Sequence, residues 1–303
     1  MKYFLVSIVS ILVTLLIYSF VQQSAQDLAA QQRQADFLLH NSTYLPPLPD
    51  KISLAGEIVP LSDFEVRERL EREIFVNTFW QSQTILLLKK TKRWFPEIEK
   101  ILKQQGVPDD FKYLALAESG LSNVVSPSNA AGFWQFLPST AKQYNLTVNA
   151  EVDERYHLEK ATVAACKYLK EAYAKFGSWN LVAASYNMGI DGLQKQIDTQ
   201  KQKNYFALLL NDETSRYVLR ILALKEIACN PSKYGFKLEN SDFYKPLKSR
   251  TLLVDSTITD IAQFAINQKI NYKQLKMLNP WLRQNTLTNK AKEKFEIKIL
   301  IPS

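Results

Sequence analysis

Cysteine and histidine are scarce in this chain: two cysteines, Cys166 and Cys229, and two histidines, His40 and His157, among 303 residues. No HExxH and no CxxC occurs, so the spacings that hold a metal are missing, and neither a metal nor a cofactor is expected. Both cysteines fall in stretches with helical periodicity and read as buried free thiols, with one disulfide as the alternative. Zinc-finger and RNP patterns are also lacking, and Lys and Arg are scattered rather than clustered, which argues against a nucleic-acid partner. Strand-like alternation is missing between residues 62 and 229, which argues against an α/β fold there. Near the N-terminus, no cysteine is available for lipoprotein processing. No convincing small-x-small cleavage pair follows the apolar run, since Gln23-Ser-Ala25 has a large residue first.

What the chain does have is length, apolar content and basic charge. Its 46% hydrophobic residues suffice for one large domain or two modest ones. A net charge of +8 suits an acidic partner such as anionic headgroups or a carboxylate-bearing polymer. Tyr3 to Phe20 is almost wholly apolar, with Lys2 before it. That length is near a membrane span, so residues 1–21 read as an uncleaved anchor that leaves the rest exported, with a cleaved signal as the alternative. Residues 22–60 are Gln/Ala-rich and then carry Pro46-Pro-Leu-Pro49. They read as a linker, with a short helix at 23–40.

From Leu61 the pattern is helix after helix. Ser62 or Asp63 caps a helix containing Val66, Leu70, Ile74 and Phe75. Thr78 to Lys92 forms a second helix and Trp94-Phe-Pro96 starts a third, with Phe79, Trp80 and Trp94 assigned to the core. A helix from about Pro108 carries Phe111, Leu114 and Ala115 on its apolar face and delivers Glu118 to its last turn, where Gly120 stops it. A carboxyl at that end of the dipole, within apolar sequence, has its ionisation disfavoured and its pKa raised. A general acid at neutral pH needs such a shift. Taken alone, an ordinary surface glutamate is the simpler reading of Glu118. Further helices are expected over Thr162–Phe176, from Trp179 to a stop at Gly189, and over Ser215–Ala228.

Several motifs then agree in order and spacing. Glu118-Ser119, Gly132-Phe-Trp-Gln-Phe136 with Pro138 and Thr140-Ala141, Ala184-Ser-Tyr-Asn187 with Gly189, and Glu213-Thr-Ser-Arg-Tyr-Val218 resemble the lytic transglycosylases of the soluble-lytic-transglycosylase type. The resemblance covers roughly residues 60–230. It implies a lysozyme-like helical catalytic domain over 61–235 that acts on peptidoglycan glycan strands in the cell envelope. It also implies Glu118 as catalytic acid/base, Ser119 orienting it or touching substrate, and Gln135 and Phe136 lining the cleft. Tyr186 and Asn187 would stand opposite Glu118, and Tyr217 would support the site from behind. Ser185 stands where an alanine is usual, and Met188 and Ile190-Asp191 also depart from the pattern.

The implied reaction cleaves the β-1,4 bond between N-acetylmuramic acid and N-acetylglucosamine and leaves a 1,6-anhydro ring. It needs one carboxylate where most glycosidases use two. Asp153, Glu154, Asp191 and Glu213 are candidate second carboxylates for the alternative, a hydrolytic muramidase. A non-catalytic peptidoglycan-binding scaffold is the other alternative. In residues 243–303, a strand at Leu252-Leu-Val254, helices over Thr257–Ile266 and Asn271–Asn279, and an alternating strand in Phe295–Pro302 resemble a degenerate LysM module. A structural extension packed on the catalytic lobe is the competing reading.

Overall fold

The computed structural model describes residues 2–41 and 44–301, without side chains for 2–13, 26 and 37–41. Contacts divide the chain into two units, Met1–Leu45 and Pro46–Ser303. The first is one helix, α1 (Lys2–Asn41), and the short helix expected at 23–40 is its second half. Much of the expected anchor, Tyr3 to Phe20, and all of His40 lie outside the described side chains. Among the described residues no helix is long and apolar enough to cross a membrane.

The second unit begins earlier than the linker reading allowed. Ile52, Leu54 and Val59 are buried, and β1 (Ser53–Leu54) and β2 (Glu57–Ile58) form a hairpin turned by Ala55-Gly56, both with positive φ. The turn suits a tight two-residue connection, which needs left-handed backbone. Ala55 N–H and Lys225 Nζ both donate to Asp110, each at 2.7 Å. Glu57 accepts from Trp179 N, Asn180 N, Asn180 Nδ2 and Ser178 Oγ at 2.5–3.1 Å. Residues 46–60 therefore belong to the folded unit. The Pro-rich composition that reads as tether says nothing about a carboxylate that finds a helix start 122 residues away.

Asp63 caps α2 (Phe64–Phe79) with Val66, Leu70 and Ile74 inward. The chain then reverses at Trp80 into α3 (Gln81–Gln105), a single helix where two were expected, running through Pro96. A proline in a helix interior costs about 3 kcal/mol. Burial of Phe95, Ile98, Ile101 and Leu102 on the same helix outweighs it at roughly 1.5–3 kcal/mol per side chain. Phe79 and Trp80, expected in the core, are exposed because they stand at this reversal, while Trp94 is half-buried edge-on to Phe133.

The remaining helices are α4 (Lys112–Ser119), α5 (Pro138–Gln143), α6 (Leu158–Phe176), α7 (Trp179–Met188), α8 (Ile190–Gln200) and α9 (Asp212–Cys229). The last of these is central: it packs on α2, α4 and α7 and buries Val218, Leu219, Ile221 and Leu222. Cys166 is buried in α6, and burial pushes its thiol up to about 12. Cys229, expected buried, is exposed because α9 ends there, and both thiols are free. The C-terminal segment has the expected strand–helix–helix–strand order, with β3 (Ser249–Val254), α10 (Ile261–Asn267), α11 (Tyr272–Leu278) and β4 (Phe295–Leu300). The two strands pair antiparallel from Ser249↔Leu300 to Val254↔Phe295. Its small core is shared: Ala131, Val152 and Tyr156 of the helical lobe pack in with Ile258, Leu275, Trp281 and Ile297.

Because Glu57 satisfies several donors at the start of α7, Glu57→Ala is expected to cost about 2–3 kcal/mol in urea unfolding.

Candidate active site

The site starts at the end of α4. Phe111, Leu114 and Ala115 are fully buried, which fixes the rotation of the helix and directs Glu118 into the space beside α9. Gly120 closes α4 with φ 57° and its N–H on Leu116 O at 3.0 Å. A side chain there would meet Leu87 Cδ2 at 2.7 Å, the movable end of a leucine, so it is the left-handed backbone that favours glycine. Lys90 Nζ, whose pKa burial lowers, covers the turn by donating to Gly120 O at 2.9 Å and Ser122 Oγ at 2.6 Å.

Glu118 as a residue is half-buried, while its carboxyl is enclosed by protein. Enclosure is the main cause that pushes its pKa up, to about 7. Three smaller influences act on it: the Tyr217 hydroxyl and the Arg220 guanidinium pull it down, and the charge of Glu213 pushes it up. Tyr217 Oη donates to Glu118 Oε1, and burial plus that carboxylate hold the phenol well above its ordinary range. Arg220, with Arg216 one turn earlier on α9, also faces the buried Glu73 of α2, which accepts from Arg216 Nε at 2.8 Å. Sequence reasoning missed Arg220 and Glu73. The signal available was the Arg216/Arg220 pair at i, i+4 flanking Tyr217.

The loop over residues 124–136 faces the carboxyl end of α4 and is folded on itself by bridges Val125↔Ala131 and Ala131↔Phe136. Gly132 has φ 81°, and a Cβ there would lie 1.9 Å from Arg155 O. The loop presents two carbonyls to the site. Phe133 O accepts from Ser119 Oγ at 2.9 Å, and Trp134 O accepts from Tyr186 Oη at 2.7 Å. Trp134 is fully buried and donates to Thr162 Oγ1 at 2.9 Å.

The expected residues do converge here, but not all in the expected way. Ser119 ties the end of α4 to the loop, which holds Glu118 in place. Gln135 spends its amide donors within the loop, on Val124 O and Gly132 O. Phe136, expected on the cleft wall, is buried against Tyr144 and Tyr186, because its carbonyl and backbone, rather than its ring, face the loop bridge. Tyr186 is close enough to Glu118 for its phenol to feel that charge. Asn187 is held at the start of α9, accepting from Thr214 Oγ1 at 2.7 Å and donating to Glu213 Oε1 at 3.2 Å.

Of the four candidate second carboxylates, Glu213 is the one whose charge reaches Glu118. Asp153 is paired with Arg155, Glu154 with Lys160, and Asp191 projects from α8 toward Lys175 at 3.4 Å. A single carboxyl that is half-protonated near neutrality, with a phenol donor on one oxygen, can both give and take a proton.

Comparison with known proteins fits this geometry. Residues 95–209 match the family described as Transglycosylase SLT domain, and residues 250–302 match the Soluble lytic transglycosylase C-terminal LysM-like domain. The chain is 28% identical over 284 residues to proteins named Membrane-bound lytic murein transglycosylase D, from Escherichia coli strain K12 and from strain O6:H1. Those alignments cover 88% of this chain and 61% of each relative, so the chain spans less than two thirds of their length.

The raised pKa makes a prediction about stability. Folded Glu118 holds its proton up to about pH 7, whereas an ordinary carboxyl releases it near 4.5. The folded state therefore binds more protons in that window, and stability falls as pH rises through it. Glu118→Gln removes the enclosed charge. It should be more stable than the parent by about 1–3 kcal/mol at pH 8, with little advantage at pH 4.5, in urea titrations at both pH values.

Proposed function

Because the chain carries a transglycosylase SLT domain followed by a LysM-like C-terminal domain, we propose that it is a peptidoglycan lytic transglycosylase. It cleaves the MurNAc–GlcNAc β-1,4 bond in cell-wall remodelling. In this reading residues 61–235 are the catalytic domain and 243–303 the accessory module. The observation that carries it is the enclosed Glu118 carboxyl, poised near pH 7 and bonded by Tyr217.

Protonated Glu118 gives its proton to the glycosidic oxygen as the C1–O bond breaks, and GlcNAc leaves as the alcohol. The positive character at the muramyl C1 is relieved by that sugar's own 2-acetamido oxygen. Glu118 is now a carboxylate, and the Tyr217 hydroxyl donating to Oε1 stabilises this form. It takes the proton of the muramyl 6-hydroxyl, whose oxygen closes on C1 as the 1,6-anhydro ring. Glu118 returns to its starting state and no water is consumed. The shift to about 7 serves both halves, since a group equally ready to lose and regain a proton favours neither step at the expense of the other.

Tyr186 and Ser119 act by holding the loop carbonyls that border the site, and Asn187 with Glu213 forms its far edge. In this reading the apolar run Tyr3–Phe20 anchors the enzyme on the envelope membrane. Leu15, Leu16, Ile17, Tyr18 and Phe20 are all exposed on α1, and the relatives are named membrane-bound.

The test is mass spectrometry of muropeptides released from purified sacculi by residues 22–303 and by Glu118→Gln. Anhydro-muropeptides from the parent, reduced roughly 1,000-fold in the variant, are expected for loss of a sole acid/base, within the range of one general acid–base contribution. Reducing-end products carrying oxygen from labelled water would replace the proposal with a hydrolase. Release unchanged in Glu118→Gln would move the chemistry elsewhere.

A further inference from the structure

The C-terminal module meets the lobe at α3, where Tyr244 N donates to Lys89 O and Arg93 Nε to Lys245 O, each at 2.9 Å, and along the segment 147–159, which also grips the cleft loop. On the module side, Asp153 N donates to Trp281 O at 2.9 Å and Arg283 N to Glu151 O at 2.7 Å. Val152 bridges Leu282, and Val152 and Tyr156 lie inside the module's own core. The Glu151 carboxylate accepts from Thr288 N at 2.8 Å and from the Thr286 hydroxyl. Arg283 lies 4.2 Å over the Tyr156 ring, and Lys298 of β4 pairs with Glu159.

On the cleft side Ala131 of the loop packs into that same core, and one side chain supplies the polar grip. Arg155 is 5% exposed. Asp153 holds its fork through Nε at 3.0 Å and Nη2 at 2.7 Å. That leaves Nη1 to donate to two carbonyls of the cleft loop, Asn129 O at 2.7 Å near its middle and Phe136 O at 3.1 Å at its end. The Arg155 carbonyl meanwhile abuts Gly132 at the loop's middle. Only a planar, multi-donor cation can take a bidentate carboxylate on one edge and two carbonyls on another. Packing also holds the loop, since Ala131, Phe133, Trp134 and Phe136 are buried, but at Phe133 it borders a cavity of about 470 Å³ between lobe and module, also lined by Trp94, His157 and Trp281. The loop in turn supplies the acceptors for Ser119, next to Glu118, and for Tyr186.

We propose that the C-terminal module is a positioning element of the active site, acting through Arg155, which clamps the cleft loop at Asn129 and Phe136 against Ser119 and Tyr186. The proposal rests on the transglycosylase reading for its kinetic arm only. A module that merely tethers enzyme to glycan would lower KM and leave turnover alone. A module that sets the loop changes turnover, since misplacement by about 1 Å can cost on the order of 100-fold.

The experiment uses the full chain, with Arg155→Lys, Arg155→Ala and Glu151→Ala, on soluble uncross-linked glycan chains. Arg155→Lys keeps the charge beside Asp153 but loses the fork. The expected order of kcat is parent, then Glu151→Ala, then Arg155→Lys, then Arg155→Ala. The last should fall roughly 10–100-fold with KM within about threefold. Hydrogen exchange on the same proteins reads the clamp without catalysis: the amides of Ala131, Gly132 and Gln135 should exchange at least tenfold faster in Arg155→Lys while those of α9 do not change. Glu151→Ala lies on the module side of the segment and keeps the test open if the Arg155 variants fail to fold. Folded variants with parental kcat, or loop amides as protected as in the parent, overturn the proposal. An inactive parent whose loop loosens as expected would count against the transglycosylase reading and leave the clamp standing.

Discussion

An enclosed carboxyl must be neutral or be held by donors, and the rest of this molecule is arranged around that constraint at Glu118. Burial pushes the group toward its neutral form, and one phenol and one guanidinium from α9 pull it back, so that it rests at about 7. Neither influence is local to α4. Burial requires α3, α9 and the 124–136 loop to close around the helix end, and the donors require α9 to lie along it with Tyr217 inward. Much of the core serves this placement, from the fully buried face of α4 to the hairpin carboxylate that fixes the start of α7.

The same constraint accounts for the polar character of the surroundings. Ser119, Tyr186 and Gln135 all spend hydroxyl or amide donors on carbonyls of one loop. A loop that borders a cleft has backbone groups that no strand or helix satisfies, so side chains must satisfy them. Arg155 extends this arrangement outward to the C-terminal module. Its burial beside Asp153 is tolerable because every edge of the guanidinium has a partner. The module thus keeps a core of its own, separate from that of the lobe, into which Ala131, Val152 and Tyr156 of the lobe reach.

Much of this was legible in the chain itself. The helical class, the stop of α4 at Gly120, the Glu118 shift and its direction, and the strand–helix–helix–strand order of the tail follow from periodicity and from glycine placement. What misled was equally physical. Pro96 reads as a break, yet burial on both sides of it carries the helix through. Phe79 and Trp80 read by residue type as core and are exposed, and Phe136, which the resemblance put on the cleft wall, is buried. Residues 46–60 read as tether because proline-rich composition is silent about distant partners.

Sequence by itself determined the elements and the residue that can carry a proton, because helix and strand periods, caps and an acidic side chain in apolar surroundings are properties of neighbours along the chain. Only the tertiary structure decided which donors meet that carboxyl and which element holds the loop beside it. Tyr217 lies 99 residues beyond Glu118, and Lys298 pairs with Glu159 across 139. At such separations no local pattern encodes a contact. It arises when buried faces close on one another and bring distant polar groups within reach.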